Sequence, residues 1–289
     1  MDITLWLLLA LAWSSSFSVI KLGIETVDPV VLVAGRMTIA AALIFGLFSA
    51  MGFRLSSRIS DWISYTITGL LGSVIPFLLI TYGEQSVDSA LAAILMGLNP
   101  VITAALAASI LPDERMTLRV FFGLLGALTG VALLVGTDAL TGLSTTSIGQ
   151  AAIVGATLCY ATSTVYIRRF VKRPALEMAA GSSVVGTIAI CLVVVIIGAD
   201  VSSVDVSPAS LGAIVYLGVI STAAANLIYF YLVPRLGATR MSQVNFAVPV
   251  GGTIIGIVFL SEIITAIQLF ALAIIIGSVW LTTSARFNH

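Results

Sequence analysis

The chain has 289 residues, of which 59% are hydrophobic and 9% charged, with a mean hydropathy of +1.15 and a formal net charge of zero. Soluble domains carry about 25% charged residues, so this composition excludes an ordinary water-soluble fold, and no nucleic-acid partner is expected. Crossing about 30 Å of hydrocarbon takes about 20 mostly apolar residues; ten such stretches can be marked, and they use about 200 residues, which leaves no room for a soluble domain.

In chain order, the first stretch is 3–23. Only Asp2 precedes it, and it has neither a basic leader nor a small-residue cleavage site, so it reads as a retained helix rather than a signal peptide. It carries Trp13, three serines, Phe17 and Ser18, with Ser14, Ser18 and Lys21 on one helix face. The second stretch, 30–51, holds Arg36 about six residues, or about 9 Å, from its nearer end. Two readings of Arg36 stay open. Either it reaches outward to Asp28 or Glu25, or it faces a vestibule and attracts a substrate carboxylate. The third stretch, 62–82, ends on Tyr82; the fourth, 87–111, contains Gly97 and Pro100; the fifth is 118–136. The sixth, 147–167, places Tyr160, Thr162 and Ser163 at the depth of Trp13, and the seventh is 176–198. The eighth, 209–232, carries Ser221, Thr222, Asn226 and Tyr229. The ninth, 238–260, carries Ser242, Asn245, Pro249, Gly252 and Gly256 at steps of 3, 4, 3 and 4, a narrow stripe on one face. The tenth is 266–285.

Positive charge tests this count. Of thirteen Lys and Arg residues, eleven fall on one side: Arg54, Arg58, Arg115, Arg119, Arg168, Arg169, Lys172, Arg173, Arg235, Arg240 and Arg286. Only Lys21 falls on the other side, where Glu25, Asp28, Glu84, Asp88, Asp138, Asp200, Asp205 and Glu262 collect. Short basic loops stay in the cytoplasm, so both termini are expected there.

A weak internal repeat runs through the chain. At a shift of 149 residues Gly69 meets Gly218, Tyr82 meets Tyr231 and Pro100 meets Pro249. The order keeps spans 1–5 opposite spans 6–10, and because five is odd the second half enters from the opposite face. Inverted repeats of this kind recur in secondary transporters, with the substrate site near the midplane between them. Pro100 and Pro249, with Gly97 and Gly252 beside them, are expected as matched gating hinges or cavity lining, or as simple packing bends.

The chemistry at depth is sparse and neutral. The only histidine is His289, no metal-ligand cluster or phosphate loop is present, and Cys159 and Cys191 form no motif. No enzyme activity, cofactor or metal is expected. The acids fall in loops or at span ends, so the usual buried proton relay is missing and a solute gradient alone is expected to drive movement. Small-residue stripes commonly mean helix packing, whereas an amide facing lipid is costly and suits a cavity. The candidate cavity residues are therefore Trp13, Ser14, Phe17, Arg36, Tyr82, Tyr160, Ser163, Thr222, Asn226, Ser242 and Asn245.

Several ordered motifs carry a family resemblance over nearly the whole chain. They are Trp13 to Phe17 with Lys21, Arg36-Met37, Leu98-Asn99-Pro100-Val101, Pro112-Asp113-Glu114-Arg115, Val248-Pro249-Val250 and Leu260-Ser261-Glu262. In these the chain resembles ten-span, EamA-type members of the drug/metabolite transporter superfamily. The resemblance implies an all-α membrane protein of ten transmembrane helices, two inverted five-helix repeats around a central cavity, with residues 1–140 as the first repeat and 141–289 as the second. It implies alternating-access export or facilitated passage of small metabolites, chiefly amino acids, in a bacterial inner membrane, by a monomer or weak homodimer. Four-span multidrug relatives carry an acid in the first span, where this chain has Trp13 and Ser14. A multidrug exporter and a non-transporting membrane scaffold remain the alternatives.

Overall fold

A computed structural model describes residues 2–112, 116–135, 145–199, 207–229, 231–232 and 244–284. The chain is all-helical, with no strand among the described residues.

Helix α1 spans Asp2–Gly23 and α2 spans Pro29–Ala50. The start of α2 is set locally. The Asp28 side chain accepts the Val30 N–H at 2.8 Å, and Pro29 has no N–H to leave unsatisfied at the first helical position. The third apolar stretch runs as α3 (Ile59–Gly69), a π-helical segment (Leu70–Val74) and α4 (Ile75–Gly83). The fourth is broken: α5 (Ser89–Met96) ends at Gly97, and α6 (Asn99–Ile110) restarts with Pro100 in its first turn. Next come α7 (Leu118–Val135), α8 (Thr145–Phe170) and α9 (Ala175–Ile197). Helix α10 (Pro208–Tyr216) leads into a second π-helical segment (Leu217–Ala224), and the helix continues through residue 229. Helices α11 (Val244–Leu260) and α12 (Ala266–Ser284) follow. Seven of these stretches are long and apolar enough to cross a membrane, and three shorter apolar helices, at 118–134, 247–260 and 266–281, join them among the described residues.

The two prolines act differently. Pro100 stands at the start of a new helix after a break, whereas Pro249 lies inside the continuous helix α11, where Thr253 Oγ1 donates to the Pro249 carbonyl at 2.8 Å. The π-helical segments, by contrast, fall at corresponding places under the 149-residue shift, and each follows or contains a glycine in a tight crossing. A Cβ on Gly69 would stand 2.6 Å from the Ser182 carbonyl of α9, and one on Gly218 would stand 3.0 Å from the Arg36 carbonyl of α2. Close backbone approach requires glycine at both sites, and π turns concentrate at functional sites.

Packing follows from these crossings. Helix α9 lies along α2 and α3, α2 packs on the second π segment, α1 on α11, α8 on α4 and α6, and α7 on α12. Helix α5 is the most central, with Ala90 through Leu95 all buried. Large apolar side chains such as Leu7, Leu192, Ile196, Phe259 and Trp280 stand exposed on the outside, as a hydrocarbon surround demands.

Candidate substrate cavity

A cavity of about 260 Å³ lies inside the bundle, just below the ~300–1,000 Å³ of typical small-molecule pockets. Helix α1 brings Trp13, Ser16 and Phe17 to it, the third stretch Gly72, Ser73 and Phe77, and the eighth Ser221, Thr222 and Asn226. Arg36 is the one charged residue among its described lining. It is 4% exposed, donates from Nη2 and Nε to Thr222 Oγ1 at 3.0 and 3.3 Å, and sets its guanidinium 3.8 Å from the centre of the Phe77 ring. A guanidinium carries five N–H donors, and the protein bonds of this one end on Thr222 alone. Its other N–H groups meet no acceptor among the described residues. Arg36 therefore neither snorkels outward nor pairs with Asp28; Asp28 instead caps α2. Cation–π contact and a hydroxyl acceptor hold the guanidinium in place without neutralising it.

Six of the sequence candidates meet here: Trp13, Phe17, Arg36, Tyr160, Thr222 and Asn226. Trp13 also packs on Tyr229, ring centres 5.9 Å apart. Other candidates lie elsewhere. Ser14 is buried in the α1–α11 crossing, where its Oγ reaches the Val248 carbonyl at 3.4 Å. Ser163 is buried against Gly72 rather than lining the cavity. Tyr82 is 43% exposed and stands off the cavity. Pro249 lines the cavity; Gly97 stands at the α5–α6 break facing Ile275, and Gly252 faces Ala93. Ser242 and the side chain of Asn245 lie outside the described residues. Phe77, Ser73 and Met96 were not singled out from sequence. The glycines and serine at 69, 72 and 73 were the available signal, since they interrupt an otherwise bulky stretch.

The two ends of the bundle differ in polarity. At the end bearing the basic loops, Tyr65 OH donates to Glu177 Oε1 at 2.6 Å, and Arg173 Nε donates to Asp61 Oδ2 at 2.9 Å. The Asp61 carboxylate beside it holds the Arg173 guanidinium above its usual range. At the acidic end, Lys21 Nζ donates to the main-chain carbonyls of Glu84 and Val87 at 2.6 and 3.0 Å. Glu262 accepts the Ser89 and Ala90 N–H groups, each at 2.8 Å, and so caps α5. Ile20, Val27, Leu32, Val87 and Leu91 close over the same end in one buried cluster. Glu84, a span-end acid by sequence, is 0% exposed there.

Apolar helices enclosing a cavity, with a fixed charge and aromatic walls, are the build of a membrane carrier for small solutes. The chain belongs to the EamA-like transporter family, which it matches over residues 2–136 and 147–284. It is 28% identical to the Uncharacterized transporter YyaM of Bacillus subtilis (strain 168), over 82% of this chain and 78% of that protein. It is 26% identical to a Probable terminal-alkyne amino-acid exporter of Streptantibioticus cattleyicolor, over 95% of this chain and 90% of that one. A crystal structure at 20% identity shares the fold with a TM-score of 0.70, covering 100% of this chain and 99% of the other.

Proposed function

We propose that this protein carries small carboxylate-bearing metabolites, amino acids first, across a bacterial inner membrane by alternating access. The observation that carries the reading is Arg36, a buried guanidinium on the cavity wall with donors left free. Bidentate hydrogen bonding to a carboxylate is the strength of that group. Trp13, Tyr160 and Asn226 offer aromatic walls and an amide to the rest of the solute. The exporter among the relatives supports amino acids as the class. A lipophilic cation, the typical multidrug substrate, would meet no carboxylate among the described lining residues.

The proposal includes ten spans in two inverted repeats, 1–140 and 141–289, with both termini cytoplasmic. The matched π-helical segments, the equivalent crossings of Gly69 and Gly218, and the eleven basic residues on one side support it. Counterflow in liposomes, screened over the twenty amino acids, tests the function. Arg36→Gln should lose counterflow of carboxylate-bearing solutes while still folding. Counterflow of no solute at all would leave the scaffold alternative standing.

A further inference from the structure

Glu84 is a buried acid that the cavity does not use. It sits in the turn between α4 and α5, fully buried, and neither side-chain oxygen has a hydrogen-bond partner among the described residues. Gln85 and Asp88 on the same turn are exposed, so bulk water is one residue away. No charged or titratable group around it bonds the carboxylate among the described residues. Lys21, on α1, holds the main-chain carbonyls of Glu84 and Val87, not the carboxylate. Glu262, beyond α11, caps α5 with both oxygens. Arg36, on α2, is held by Thr222 and Phe77; Asp28 caps α2, and Glu25 is exposed before it. Helix α8 packs Gly149 and Ile153 against Gly83, and its titratable residue towards the cavity is Tyr160. A carboxylate buried with no donor is far costlier than the neutral acid.

We propose that Glu84 is a proton-binding site that controls closure of the acidic end of the cavity. When that end closes, Glu84 takes one proton from the adjacent solution and is buried as the neutral acid. When it opens, the carboxyl group meets water and returns the proton to the same solution. The ligand is the proton itself. The proposal rests on the alternating-access reading above.

The electrostatics agree. Burial pushes the Glu84 carboxyl well above its ordinary value of 4.5; Lys21 pulls it back, Glu262 adds to the rise, and Arg36 pulls it back again. The closed form then holds a proton that the open form lacks at every pH between 4.5 and the raised value. In that window each unit of rising pH shifts the balance about tenfold towards the open form. Below the window both forms are protonated and the dependence vanishes. This supplies a proton response that the absence of a midplane acid had argued against.

The test uses the full chain in lipid nanodiscs, with Cys159 and Cys191 replaced by serine. Spin labels enter through Gln85→Cys paired with Ile263→Cys, and in a second sample through Gln85→Cys paired with Glu25→Cys. Distance distributions are read from pH 4 to pH 9, and amino-acid counterflow is measured on the same proteins in liposomes. The expected result is a long-distance population that grows with pH in the wild-type background. Glu84→Gln should hold the short distance at all pH values, and Glu84→Asp should restore the response. Working counterflow with pH-independent distances would overturn the proton site and leave the carrier reading intact. A pH response that survives in Glu84→Gln would also overturn it. Fixed distances together with no counterflow would overturn both.

Discussion

The two ends of the bundle close in different ways. At the basic end Asp61 and Glu177 both have partners: Tyr65 and Arg173 face Glu177, and Arg173 also takes Asp61 and Ser56. At the acidic end the capping acid Glu262 is satisfied and Glu84 is not. A fully satisfied buried network fixes one arrangement, and an unsatisfied group raises the cost of the arrangement it sits in. The basic end is therefore built as a clamp between α3 and α9. The acidic end carries a group that water would stabilise as soon as the end opened.

The strongest way to break this contrast is at the clamp. A side chain on Gly181 would press within 2.6–2.8 Å of the Tyr65 ring and drive its hydroxyl off Glu177. Gly181→Val should cost about 3 kcal/mol or more by overpacking and loss of the buried bond, read as a large drop in melting temperature in detergent. Glu262→Ala comes next. It orphans the Ser89 and Ala90 N–H groups at the start of α5, at about 2 kcal/mol for charge-assisted bonds. Its loss should also raise the open population at the acidic end in the label experiment.

The third prediction separates the ends by pH. The folded chain with its acidic end closed binds a proton at Glu84 that the unfolded chain gives up above 4.5. That stabilisation is complete below the unfolded value and is lost as pH rises through the raised one, at up to about 1.4 kcal/mol per pH unit. Melting temperature should fall with rising pH in the wild type and flatten in Glu84→Gln. An identical slope in the two proteins would remove Glu84 as its source. The smallest effect belongs to Arg173, whose side chain is 31% exposed. Arg173→Gln should leave the melting temperature in detergent almost unchanged, because solvent screens such pairs; a large drop would mean that the clamp depends on Arg173 rather than on Tyr65 and Glu177.

Much of the site was legible because polar residues inside apolar stretches are rare. Trp13, Arg36, Thr222 and Asn226 stood out on that ground, and all four line the cavity. Depth misled in two directions. Tyr82 lies near a span end with its ring on the exposed side, and helix periodicity could not settle which neighbours would flank it. Glu84, two residues later, is buried because side chains from α1, α2 and α5 converge above the cavity, a tertiary fact with no local sequence mark. Ser14 and Ser163 show the limit of reading small polar residues: a hydroxyl serves a helix crossing as readily as a cavity wall. The π-helical segments were invisible, since one extra residue in a turn depends on how α9 and α2 press on Gly69 and Gly218. The all-helical membrane character was the most readable part, carried by runs of apolar residues long enough to cross a bilayer.

The unequal prolines have a geometric consequence. On the inverted-repeat reading, the stretch of chain holding Pro100 and the one holding Pro249 are the same object seen from opposite faces of the membrane, yet one is broken at Gly97 and the other is a single unbroken helix. Two identical copies in one molecule would have no means of telling inside from outside. A structure facing one way must hold its halves in different shapes, and the state facing the other way follows if the halves trade them: α11 bends at Pro249 while the α5–α6 junction straightens. The direction in which the carrier faces is then recorded in which proline is bent.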